Sequence, residues 1–276
     1  MELVMLGTGD ACVTKCFNTC FALSNGNEYF LVDGGGGNGI LNVLEANKIS
    51  FLDIHDMFIS HAHPDHLFGC LWVIRMIGQK ICSGDYQGNL NIYCHKELCE
   101  VVLSICDMIL MEKILKLFGN RIILHEINDG QELEILGKKV CFFDVLSKKK
   151  KQFGFIMEYE AGKRLVFCGD EPLRRNVSVW NDGSNKEQIG VMNCQWLLHE
   201  AFCLYSERDV FKPYEKSHST VREACEMAQQ IHAENVILYH TEDSHIEERK
   251  ELYSTEGQMF YFGNLLIPYD SERFIL

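Results

Sequence analysis

The stretch Ser60-His61-Ala62-His63-Pro64-Asp65-His66-Leu67 places three imidazoles and a carboxylate within six consecutive positions, 61–66. Two histidines two residues apart at a strand end can both face one point if the backbone turns there, and Pro64 favours a turn. Imidazole and carboxylate together suit zinc, iron or manganese, whereas calcium and magnesium take all-oxygen cages. The bland alternative is a polar helix entry with Asp65 as its cap and the histidines in water. Three histidines among four polar positions favour the metal reading.

Outward from this cluster the chain alternates strand and helix signals. Upstream, ELVML (2–6), TCFALS (19–24) and EYFLVD (28–33) read as strands, with Asn25-Gly26-Asn27 turning the last two into a hairpin. Gly34 to Gly37 then permit a tight turn into a helix over 39–48, and IHDMFIS (54–60) reads as a buried strand ending at the cluster. A helix over 66–77, a strand LNIYC (90–94) and helical stretches through 116 complete a first batch. The second batch opens with RIILHEI (121–127), QELEILG (131–137), KKVCFFDVL (138–146), FGFIMEYE (153–160) and KRLVFCGD (163–170). After a turn-rich region over 173–190 come strand CQWLLHEA (194–201), helix TVREACEMAQQIH (220–232), strand NVILYH (235–240) and a helix over 246–253. Two successive batches predict two sheets packed face to face, with helices on the outer faces, in one domain over 1–276.

Composition narrows the function. The net charge of −13 opposes binding to a long polyanion, whose affinity depends on cations displacing counterions. Thirteen cysteines without a Cys-x-x-Cys pair read as reduced, buried thiols. The opening MELVMLGTGD has no basic n-region or long apolar run, and no window reaches the roughly 18 apolar residues of a spanning helix. The expectation is a soluble cytoplasmic protein without a membrane partner.

SHAHPDHLFG after the glycine-rich LVDGGGG resembles the metallo-β-lactamase superfamily, whose four-layer αββα fold agrees with the two-batch reading. The likeness spans nearly the whole chain. LLHEAF, KSHSTVREA and LYHTED, in that order, resemble ribonuclease Z and its relatives most. The resemblance implies two divalent ions, zinc first with manganese or iron as alternatives. His61 and His63 would hold one, Asp65 and His66 the other, Asp170 in FCGDEP would bridge, and His240 would complete the second. Asp33 would orient a ligand histidine. Without the motif, Asp170 and His240 are ordinary strand-end residues and Asp33 a turn aspartate. A further family histidine falls, by the best match of frames, on Leu146, which cannot ligate. The first site is therefore expected to be weaker.

Two such ions lower the pKa of water and clamp the oxygens of an in-line displacement, which suits a phosphodiester. The leaving alkoxide then needs a proton. His218 is the candidate donor, placed before a helix whose Thr220 and Glu223 form a capping-box pattern, with Glu200 setting its tautomer and Asp65 also in the catalytic set. His199, adjacent to Glu200, points to the other strand face and is read as structural. Lys148, Lys149, Lys150 and Lys151 form a solvated hairpin tip or attract phosphate oxygens. Ribonuclease Z carries a tRNA-binding arm between the missing ligand and the bridging aspartate. Here Leu146 and Asp170 leave only the length of two strands.

The expectation is thus a ribonuclease Z-like phosphodiesterase acting on a small or short phosphodiester rather than on tRNA. Dimers are common among its relatives, so a homodimer is possible. A hydrolase of another ester, thioester or lactam, and a metal-binding protein with little activity, remain the alternatives.

Overall fold

The computed structural model describes residues 1–179 and 189–276 and divides them into two compact units. Residues 180–188 of the turn-rich region lie outside the described residues. The first unit comprises Met1–Gly7, Phe17–Asn128 and Asp270–Leu276, and the second Thr8–Cys16 and Asp129–Tyr269.

The first unit holds a seven-stranded mixed sheet. Its strands are β1 (Glu2–Gly7), β2 (Cys20–Ser24), β3 (Tyr29–Val32), β4 (Ile54–Phe58), β5 (Leu90–His95) and β6 (Ile122–Ile127), with the C-terminal strand Glu272–Ile275 beside β1. That last strand has no counterpart in the sequence reading. It is short and only half-buried, so its hydrophobic alternation is weak. Pairing is antiparallel as far as β3 and parallel from β3 to β6. The parallel half requires crossovers, supplied by helices α1 (Gly39–Ala46), α2 (Pro64–Ser83) and α3 (Lys96–Ile109), with the short α4 (Glu112–Leu115) following. Helix α2 begins two residues before the expected 66 and runs past 77. Pro64 is tolerated at the first position, where an amide is unpaired anyway, and the helix ends only at Gly84, in the left-handed conformation with φ 84°. Leu67, Cys70, Leu71, Ile74, Ile77 and Ile81 bury one α2 stripe against Leu31, Met57, Ile59 and Ile92.

The second unit repeats the scheme. Strands β7 (Glu132–Ile135), β8 (Lys138–Asp144), β9 (Phe153–Glu160) and β10 (Lys163–Phe167) pair antiparallel. A two-stranded parallel pair, β11 (Val177–Val179) and β12 (Ile189–Met192), stands apart from the main sheet. Then β13 (Trp196–Glu200), β14 (Asn235–Tyr239) and β15 (Asn264–Leu266) continue it in parallel from β10. Helices α5 (Arg208–Phe211), α6 (Val221–Gln230) and α7 (Arg249–Gly257) follow β13 and β14. The capping box of Thr220 and Glu223 fixes the start of α6. Such a cap stabilises a helix by about 0.5–2 kcal/mol. Helix α7 begins at Arg249 rather than 246, because Glu248 N–H bonds His245 O in a preceding turn. In both units the parallel strands carry their C-terminal ends to one edge, the usual place for a site in an α/β sheet.

Candidate metal centre

Each unit carries one set of the residues singled out above. In the first, Asp33 follows β3 and Ser60 to His66 follow the adjacent parallel strand β4. Asp33 N–H bonds Phe58 O at 2.9 Å, and the residue takes a left-handed φ of 57°. This turns its carboxylate, fully buried, toward the cluster. Asp33 Oδ1 accepts Ser60 N–H at 2.8 Å, and Oδ2 accepts Ser60 Oγ–H at 2.7 Å and faces His66 Nδ1 at 2.8 Å. Ser60 Oγ is in turn 2.9 Å from His61 Nδ1.

A hydroxyl has one proton. If Ser60 gives it to Asp33, His61 must give its Nδ1–H to Ser60, and His66 gives its own Nδ1–H to Asp33. One carboxylate thus fixes both tautomers and turns both Nε2 lone pairs outward. His61 Nε2 lies 2.8 Å from His63 Nδ1, a contact that His63 Nδ1–H closes in the absence of an ion and that a shared cation would replace. Asp65 Oδ2 is 3.3 Å from His66 Nε2. This donor set fits a divalent ion of the zinc class. Without an ion, burial disfavours a charged His66, but Asp65 and then Asp33 outweigh it and hold its pKa well above the ordinary range.

A close backbone approach secures this geometry. Gly34 N–H bonds His66 O at 2.9 Å and Gly69 N–H bonds Gly35 O at 2.8 Å. A Cβ on Gly69 would lie 1.7 Å from Gly34 O, so only glycine lets α2 dock on the turn.

In the second unit, Glu200 ends β13, His240 follows β14 directly and Asp170 lies in the turn just after β10. His240 also takes a left-handed φ, 57°, and its Nε2 is 3.8 Å from Asp170 Oδ2. Gln152, buried, clasps Asp170: its Nε2 donates to Oδ1 and its Oε1 accepts Asp170 N–H at 3.1 Å. Leu146, by contrast, lies in the loop after β8 with φ 58° and is 55% exposed. Nothing in the sequence pattern singles out Gln152, or the relay role of Ser60.

Glu200 is fully buried, with Oε1 accepting Ser219 N–H and Ser219 Oγ–H, both at 2.5 Å. Its Oε2 faces His218 Nδ1 at 3.6 Å, an ion-pair distance slightly beyond a hydrogen bond. Burial lowers the pKa of His218, yet the Glu200 carboxylate, with Asp170 adding to it, more than compensates and raises it. Phe202 stacks on the His218 ring with centroids 5.0 Å apart, and the His240 ring centroid lies 5.1 Å from that of His218, tilted by 38°. Lys149 Nζ reaches to 3.3 Å from His218 Nε2, the edge away from Glu200. Lys148 gives its backbone N–H to Glu171 Oε2, and Lys150 and Lys151 are exposed. Lys151 lies over the Phe153 ring at 5.8 Å. His199 is buried, with Nδ1 2.7 Å from Glu200 O. His218, Phe202, Phe211, Lys216, Asp10 and Cys12 contribute to the wall of a cavity of about 270 Å³.

A family model described as Anti-Pycsar protein Apyc1 matches residues 1–261. The chain belongs to the Anti-Pycsar protein Apyc1 family. Among curated proteins it is similar to the ribonuclease Z of Thermococcus sibiricus, 25% identical over 98% of this chain and 94% of the relative, and to that of Methanococcus aeolicus, 24% identical over 93% and 88%. Among solved structures, a metallo-beta-lactamase fold protein from Bacillus subtilis superposes with a TM-score of 0.74 at 14% identity, covering 99% of this chain and 98% of that one. Human tRNase Z, short form, gives 0.69 at 20% identity, covering 100% of this chain and 99% of that one. This Apyc1 family member therefore has the metallo-β-lactamase fold and is ribonuclease Z-like.

Proposed function

We propose that the protein is a metal-dependent phosphodiesterase acting on a small phosphodiester. His61, His63, Asp65, His66, Asp170 and His240 would hold two divalent ions, zinc first and manganese or iron as alternatives. The observation that carries this is the Asp33 relay, which fixes two histidine tautomers with their Nε2 lone pairs outward. Bound ions would lower the pKa of a water toward about 7 and polarise the phosphoryl oxygens.

The chain's own residues supply the rest. Asp33 keeps His61 and His66 in their ligating tautomers, and Gln152 holds the Asp170 carboxylate in place. His218, whose charged form Glu200 favours against its burial, would give its Nε2 proton to the leaving alkoxide. Lys149 covers that Nε2 edge, where its ammonium opposes the charged ring, and would have to turn toward a phosphate oxygen to free it. Glu200, locked by Ser219, stabilises the ring in its charged form before the transfer.

Three observations support a small substrate over tRNA. The net charge is −13, the cavity beside His218 is about 270 Å³, and between β8 and Asp170 the chain runs through one short loop and the strands β9 and β10. The family description extends the proposal to a role, opposition to a Pycsar system. Reduced cysteines support a cytoplasmic location, and among the described residues no helix is long and apolar enough to cross a membrane. We read residues 1–276 as one functional domain, and a homodimer is consistent with the ribonuclease Z likeness.

Hydrolysis of bis-p-nitrophenyl phosphate, a panel of linear and cyclic nucleotides, a thioester, a lactam and a tRNA precursor tests this reading. Turnover of the phosphodiesters alone is expected. Turnover of the thioester or lactam without the phosphodiesters would overturn it, as would efficient maturation of the tRNA precursor.

A further inference from the structure

The second unit holds another cluster of ligating side chains, outside the motif residues. Glu207 ends the 3-10 turn Tyr205–Glu207 after β13, while Glu242 and His245 lie on the loop after β14. One ligand atom from each of the three lies within 4.8 Å of the others. His245 Nε2 is 2.9 Å from Glu207 Oε1.

The carboxylates are incompletely satisfied. Glu242 is 95% buried, as its 5% exposure shows. Its Oε2 accepts Ser244 N–H at 2.5 Å and the Ser244 hydroxyl, but its Oε1 is buried without a hydrogen-bond partner. Glu207 Oε2 is likewise buried without a partner. Among the described residues no lysine or arginine forms an ion pair with either carboxylate. Arg249, the buried cation of α7, commits Nη1 and Nη2 to Thr241, Thr8 and Pro268 O, and its Nε makes no hydrogen bond. The uncompensated charge is felt nearby: burial first, then Glu242 and Glu207, push the Cys203 thiol up to about 12. Two buried carboxylates with vacant lone pairs are unfavourable unless a cation joins them.

We infer that Glu207, Glu242 and His245 bind a divalent cation of the zinc class, separate from the ions assigned to the histidine motif. One imidazole with two carboxylates suits zinc, manganese or iron over calcium and magnesium. Zinc bonds of 2.0–2.2 Å bring ligand atoms to roughly 3.3–3.5 Å of one another in a tetrahedron. Glu207 and His245 are each about 30% exposed, so their side chains can rotate that far while buried Glu242 stays fixed. The ion would tie the loop that follows His240 to the turn after β13, and its role is structural.

Zinc bound per chain, measured by elemental analysis after equilibration with limiting zinc, compares the wild type with Glu207→Gln/His245→Gln. Neither residue belongs to the catalytic set, so the double variant should retain hydrolysis of bis-p-nitrophenyl phosphate. It is expected to bind one zinc fewer than the wild type. Saturating zinc should also raise the Tm of the wild type by about 5 °C more than that of the variant. If the double variant folds poorly, Glu207→Gln alone should weaken zinc at this site by more than roughly tenfold, the low end of what losing even an outer partner costs. Equal zinc content in wild type and variant overturns the inference. The inference is independent of the motif centre: the difference between the two proteins tests this site, and the zinc remaining in the variant tests the other.

Discussion

The two sets of motif residues are built on opposite plans. In the first unit, His61, His63, Asp65 and His66 come from one six-residue run, and a single buried carboxylate, Asp33, orients His66 directly and His61 through Ser60. In the second, Asp170, Glu200, His218 and His240 come from four separate segments and are held in pairs: Gln152 with Asp170, Ser219 with Glu200, Glu200 with His218. One plan concentrates risk on a single residue. The other spreads it, so a substitution there should injure one role and spare the rest.

The largest effect is common to both plans. Chelation should remove all measurable phosphodiester hydrolysis, and zinc or manganese should restore it; activity that survives exhaustive chelation would break the metal reading altogether. Next, His218→Ala should lower kcat by about 10²–10⁴, the usual worth of a general acid, with metal content unchanged. Loss of metal in that variant would show that the paired plan is not modular. Asp33→Asn should weaken metal binding about 10–100-fold, because a carboxamide replaces one of the two acceptor oxygens with an NH2 donor that faces either Ser60 N–H or the Ser60 hydroxyl and His66 Nδ1. Isothermal titration with zinc reads this, and unchanged affinity would show that the first unit does not depend on one residue. Gln152→Leu should have a smaller effect, about tenfold in kcat/KM through a looser Asp170. The smallest effect is expected at Leu146→His: an exposed loop substitution changes little, within about twofold in zinc affinity. A large gain there would restore Leu146 as the lost ligand position.

The contrast also explains what was legible in the sequence. A contiguous cluster writes its chemistry into neighbouring letters, so the run from His61 to His66 is visible at once. Strands such as β9 were equally visible, because β9 buries a nearly continuous apolar run. Residues that act through tertiary contact leave no such mark. Gln152 meets Asp170 only because β9 and β10 pair, and Ser60 is an ordinary serine until Asp33 folds beneath it. The C-terminal strand Glu272–Ile275 was missed for a related reason: its place is set by β1, across almost the whole chain, rather than by its own pattern. Helix ends depended on local turn chemistry, with Pro64 and Gly84 extending α2 beyond its apolar stripe.

The contact between Gly34 and Gly69 has a kinetic consequence. Both amides are bonded across the turn and covered by backbone, so neither can exchange its hydrogen with solvent until the first turn of α2 leaves the sheet edge. Their exchange rates therefore time the opening of the segment that carries His66. An ion or substrate that engages side chains without loosening that segment would leave the two clocks slow, while exchange elsewhere in the loop changes.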